Sequence, residues 1–169
     1  MSLASRKPVA YAFWGAVFAF VTLLSFASVG QAQQSGVFSN LAGSWSGTGT
    51  VAMSNGSKER IRCRATYQVP SGGAKVQIQM LCASDSYRFE LQSDIVYEDS
   101  EVHGTWTEKS RQVGGEVTGT VHGNQFDVMI AAQAFSATLS LTTSGNRQSV
   151  TIRSPGSAMS QATITLNRG

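Results

Sequence analysis

The stretch that decides the fold runs Arg60-Ile61-Arg62-Cys63-Arg64-Ala65-Thr66-Tyr67-Gln68-Val69, turns through Pro70-Ser71-Gly72-Gly73, and returns as Lys75-Val76-Gln77-Ile78-Gln79-Met80-Leu81-Cys82. In the outgoing arm Ile61, Cys63, Ala65, Tyr67 and Val69 take every second position, with arginines, Thr66 and Gln68 between them. In the return arm Val76, Ile78, Met80 and Cys82 alternate with Lys75, Gln77 and Gln79. A period of two puts the two sets on opposite faces of a strand, so each arm reads as a half-buried β-strand. With Gly72 and Gly73 at the tip, Val69 falls opposite Val76, Tyr67 opposite Ile78, and Cys63 opposite Cys82. Two cysteines meeting on the apolar face of one hairpin predict a Cys63–Cys82 disulfide. Closing a loop of about twenty residues contributes on the order of 3 kcal/mol in the chain-entropy model. The same register sets Arg60 opposite Asp85, a surface ion pair worth about 0.5 kcal/mol.

The alternation continues outward from this hairpin. Tyr87, Phe89 and Leu91 alternate with Arg88, Glu90 and Gln92; Phe126, Val128 and Ile130 flank Asp127; Ala137, Leu139 and Leu141 alternate with Ser and Thr. Val150 with Ile152, and Ile164 with Leu166, repeat the pattern near the end. Turn chemistry separates the runs at Ser54-Asn55-Gly56-Ser57, Ser84-Asp85-Ser86, Gly114-Gly115, His122-Gly123-Asn124, Ser144-Gly145-Asn146 and Ser154-Pro155-Gly156. The expected fold is all-β: an antiparallel up-and-down β-barrel of about 8–10 strands joined by tight turns. Its dry face points inward, because an outer-membrane barrel would carry apolar residues outside and polar ones in the lumen.

The N-terminus has a different composition. Arg6 and Lys7 precede an uncharged run from Val9 to Val29, and Gly30-Gln31-Ala32 places small residues before a cut. That order is the one a secretory signal uses, and the alternative is an uncleaved membrane anchor. The expected organisation is a signal peptide over 1–32, a flexible linker over 33–40 and a single barrel domain over 41–169, in a periplasmic or secreted location. The chain's formal net charge of +3 includes Arg6 and Lys7. Without them the balance is near neutral, which argues against nucleic acid as a partner, and no membrane association is expected after cleavage.

The domain opens with Leu41-Ala42-Gly43-Ser44-Trp45-Ser46-Gly47-Thr48-Gly49, and a related Gly104-Thr105-Trp106-Thr107 begins a later strand. These motifs resemble the Gly-x-Trp strands of the calycins, the barrel superfamily that includes lipocalins and avidins. The resemblance implies that a basic residue from the barrel's end covers the first-strand Trp45, with Arg168 the first candidate and Arg153 the second. The segment Glu59–Tyr67 is also similar to small exported bacterial proteins.

Catalytic patterns are absent from the sequence. His103 falls on the polar face, His122 lies in a turn, and there is no Gly-x-Ser-x-Gly or His-Glu-x-x-His. The cluster Glu98-Asp99-Ser100-Glu101 reads as a solvated hairpin tip. The expectation is therefore a protein that is not an enzyme, with no cofactor and no metal. A small apolar ligand held in the barrel is the first reading. Its candidate contacts are the large dry-face residues Trp45, Tyr67, Met80, Phe89, Leu91, Trp106, Phe126 and Leu139. The alternative is a protein-interaction module, such as a periplasmic protease inhibitor or an envelope accessory protein, with Gln33–Asn40 as an arm.

Overall fold

In the computed structural model, residues 36–169 are described; the expected signal peptide lies outside them. Ten strands follow in order: β1 (Gly43–Met53), β2 (Lys58–Gln68), β3 (Lys75–Ala83), β4 (Arg88–Glu98), β5 (Glu101–Glu108), β6 (Val113–His122), β7 (Gln125–Ala132), β8 (Ser136–Ser144), β9 (Arg147–Arg153) and β10 (Met159–Arg168). Each strand pairs antiparallel with the next, and β1 pairs with β10, so the sheet closes into an up-and-down barrel as expected. Among the described residues no helix is long and apolar enough to cross a membrane.

The decisive hairpin has the register its sequence predicts: Tyr67 pairs with Ile78 and Cys63 with Cys82. The two cysteines form a disulfide with their Cα atoms 4.1 Å apart. The ladder stops, however, at Arg62 and Ala83. The chain then turns, with the Ser84 N–H donating to the Tyr87 carbonyl at 2.8 Å. Arg60 consequently does not pair with Asp85, and among the described residues no such ion pair forms. The hydroxyls of Ser84 and Ser86 donate to Glu59 instead.

Alternating strand direction sends the β2–β3, β4–β5, β6–β7 and β8–β9 turns to one end of the barrel and the other five to the opposite end. The first end is closed. The segment expected as a flexible linker, 33–40, is packed there over its described part. Phe38 is 2% exposed, stacks on Phe126 with ring centroids 5.6 Å apart, and donates its backbone N–H to the Gly73 carbonyl at 2.9 Å. A Cβ on Gly36 would strike the backbone of Gly72 and Gly73, so only glycine allows this approach. Packing against the barrel thus begins by Gly36 rather than at Leu41, because an apolar Phe38 near an open barrel mouth gains more from burial than it loses in chain freedom.

A 3-10 turn, Ser39–Leu41, carries the chain from this plug into β1. The indole N–H of Trp45 donates to the Leu41 carbonyl at 2.7 Å. The Arg168 guanidinium lies over the Trp45 ring, 4.3 Å from its centroid, and donates to the carbonyls of Ala42 and Asn40. Arg168 is thus the covering residue that the calycin resemblance implies; Arg153 sits exposed on the outer face of β9. Beneath this cap the Tyr67 hydroxyl donates to Gln148 Oε1 at 3.1 Å, and burial pushes the phenol's pKa up. The acidic cluster of the β4–β5 turn is the tip expected of it, with Asp99 and Ser100 at positive φ, 52° and 69°.

Candidate functional site

The other end of the barrel is hollow. A cavity of about 440 Å³ opens between the β3–β4, β5–β6, β7–β8 and β9–β10 turns. Val51, Met53, Ile61, Met80, Phe89, Trp106, Ile152, Ala162 and Ile164 form its walls, and the disulfide's Cys82 is part of the lining. The period of two supplies them: each occupies the inward parity of its strand. Trp106, buried in the wall, is tilted against Phe135 with centroids 5.8 Å apart. Its indole N–H donates to the Ala131 carbonyl at 3.4 Å. At the rim Tyr87, Val113 and Phe135 remain 44%, 37% and 37% exposed, so the mouth presents apolar surface to water.

Glu59, Glu108 and Arg111 are the charged residues of the lining. Glu108 closes β5 on the inward parity of Val102 and Trp106 and is 2% exposed. Burial works against its charge, but the backbone N–H groups of Glu90 (3.0 Å), Ser110 (3.1 Å) and Arg111 (2.7 Å) converge on the carboxylate. Their donation outweighs desolvation and holds its pKa below the ordinary glutamate range. Arg111 Nη1 lies 3.4 Å from Glu108 Oε2, and its guanidinium covers the Tyr87 ring at 4.4 Å. Arg111 thereby ties the β5–β6 turn to the neighbouring β3–β4 turn along the rim of the mouth. Glu59 is likewise held below the ordinary range, first by the Ser84 hydroxyl and then by Ser86.

Of the candidate ligand contacts, Met80, Phe89 and Trp106 line the cavity together. Trp45 and Phe126 belong to the closed end, and Tyr67 is spent on Gln148. Leu91 and Leu139 pack against the core without reaching the cavity. Met53, Met159, Tyr87, Phe135, Glu108 and Arg111 were not anticipated. Glu108 and Tyr87 had a legible signal, since they share the parity of Trp106 and Phe89 respectively; Arg111 and Phe135 stand in or beside turns, where alternation carries no information about direction. The inward-parity glycines Gly47, Gly49, Gly104 and Gly119 admit close backbone approach. A Cβ on Gly47 would collide with the Thr165 carbonyl of the neighbouring strand.

The arrangement can desolvate a small apolar body while offering fixed charge at the entrance. No family model matches the sequence, and no curated protein matches it. Solved structures share its fold. Rv2717c from M. tuberculosis superposes with a TM-score of 0.61 at 15% identity, over 78% of this chain and 94% of that one. The S-type phycobiliprotein lyase CPES from Guillardia theta gives a TM-score of 0.59 at 11% identity, over 78% of this chain and 90% of that one. The expectation that the chain is not an enzyme is corrected here: a lyase is built on the same barrel. The missing motifs belong to hydrolases and zinc proteases of other architectures, and their absence does not decide the matter for a barrel with a carboxylate in its cavity wall. What these likenesses show is a shared fold, which in this chain is a closed antiparallel barrel of ten strands.

Proposed function

We propose that the protein is exported and binds a small, mainly apolar molecule in the open-end cavity. The observation that carries this reading is the cavity of about 440 Å³ walled by Met53, Met80, Phe89, Trp106 and Ile152, at one end of a barrel whose other end is plugged. Its size falls in the range of small-molecule sites, roughly 300–1,000 Å³, and its mix of apolar wall and few polar groups is the usual one. The likeness to a phycobiliprotein lyase supports a small-molecule role for a barrel of this build. The Cys63–Cys82 disulfide fits an oxidising compartment, in keeping with a signal peptide over 1–32 cleaved after Ala32. The interaction-module reading loses its arm, because 36–40 is docked at the closed end.

Native mass spectrometry of the protein purified from periplasm without detergent tests the reading. The expected result is a mass excess that disappears on denaturation and is absent from Ala162→Trp, which fills the cavity from a position 3% exposed. A clean apo mass, together with no change in Trp fluorescence when an apolar dye is titrated in, would overturn it.

A further inference from the structure

We propose that the outer face formed by β8, β9, β10, β1 and β2 is a docking surface for an anionic glycan. Of the chain's ten acidic residues, nine lie between Asp85 and Asp127. The tenth, Glu59, lines the cavity. Five consecutive strands of the closed sheet therefore present no carboxylate to the outside. They carry instead Lys58, Arg60, Arg62 and Arg64 along β2, and Arg147 and Arg153 on β9, all exposed. None of these six cations is in an ion pair among the described residues. Unlike Arg111 and Arg168, they do no structural work that the fold reveals.

The register turns this segregation into a shape. Outer rows run Arg153–Gln161–Ala52–Lys58, Thr151–Thr163–Thr50–Arg60 and Arg147–Asn167–Ser46–Arg64 across β9, β10, β1 and β2. Two columns of cations, about 14 Å apart along the sheet at three inter-strand steps, flank a floor of hydroxyls. A shallow groove of about 610 Å³ lies in that floor, lined by Thr48, Thr50, Thr151, Thr163, Thr165 and Arg60 among others. Arginine forks match sulfate and carboxylate groups, and threonine hydroxyls both donate to and accept from sugar hydroxyls. The face holds no aromatic ring to stack on unpaired bases and no large apolar side chain to enter a bilayer. Charge complementarity and hydroxyl chemistry together therefore favour a sulfated or uronic-acid chain. The site is on the barrel's outside and is independent of the cavity.

The test is calorimetric titration of the purified protein with heparin oligosaccharide at low ionic strength and again at about 0.3 M salt, where exposed charges are screened. Binding at low salt that weakens at high salt is expected. The triple variant Arg60→Glu, Arg62→Glu, Arg64→Glu should lose on the order of tenfold or more in affinity, as three exposed charge contacts would give. The triple variant Lys75→Glu, Arg88→Glu, Lys109→Glu makes the same change in net charge elsewhere and should stay within about twofold of the parent. If the first triple fails to melt like the parent, Arg147→Gln with Arg153→Gln reads the same surface from its other column. No binding at low salt, equal losses from both triples, or tighter binding to phosphatidylglycerol vesicles or duplex DNA than to heparin would overturn the proposal.

Discussion

Replacing Phe38 with alanine should unfold the protein at a markedly lower temperature. The ring is 2% exposed and stacks on Phe126 at 5.6 Å, within the plug that also includes Leu41 and Trp45. Truncating a buried phenylalanine costs about 3–5 kcal/mol, from lost transfer free energy and from the cavity left behind. The low end applies if the 36–42 segment can collapse into the gap, the high end if its bond to Gly73 holds it in place. For a domain of this size each kcal/mol moves the midpoint by roughly 3–4 °C, so the expected fall is about 9–20 °C. Asn40→Ala is the matched control. Its side chain is exposed, and it is its carbonyl that accepts from Arg168, so its midpoint should move by no more than about 2 °C. Thermal melts by circular dichroism, checked by urea titration, give the comparison. If Phe38→Ala melts within about 2 °C of the parent, the plug contributes nothing and the closed end is not what stabilises the barrel.

Cys63→Ser or reduction of the disulfide should cost about 3 kcal/mol, since nineteen residues of sequence separate the partners; equal midpoints with and without reductant would contradict this. Glu108→Gln should flatten the acid limb of stability: the carboxylate's pKa is lowered by folding, so its contribution is complete above the unfolded value of about 4.3 and is lost as pH falls through the folded value. Urea midpoints measured from pH 7 down to about pH 3 would show the parent losing more stability than the variant, which keeps only the acid limb of Glu59 and Asp127. Arg168→Ala should cost about 2 kcal/mol through its contact with Trp45 and two carbonyls, and Arg168→Lys should recover only part, because an ammonium cannot fork to both. Trp45 emission and the melting midpoint should move together in both variants.

The cavity is half legible in the sequence. Met80, Phe89 and Trp106 share the inward parity and a place in it; Trp45, Tyr67, Phe126 and Leu139 share the parity and lie elsewhere. Alternation reports which side of the sheet a residue faces, and it is silent about height along the barrel axis. Height depends on strand tilt and stagger, which have values only once the sheet closes. Arg111 and Phe135 escaped for a related reason. They stand at turns, where direction follows from hydrogen bonds such as Ala132 to Phe135 and from the grip of Glu108 on the β5–β6 turn.

By itself the sequence determined most of the strands and their inward faces, the β2–β3 register and the Cys63–Cys82 pairing, because period two and a Gly-Gly tip are local properties that act on neighbours in the chain; Gly114-Gly115, read as a turn, instead lies inside β6. Only the tertiary structure decided that Phe38 plugs one end, that the other is hollow, and that Arg147 and Arg153 share a surface with Arg60, Arg62 and Arg64. Those arrangements require β1 to pair with β10, joining segments more than a hundred residues apart in sequence. Such contacts are driven by burial and loop closure summed over the whole barrel, and no short window of residues contains them.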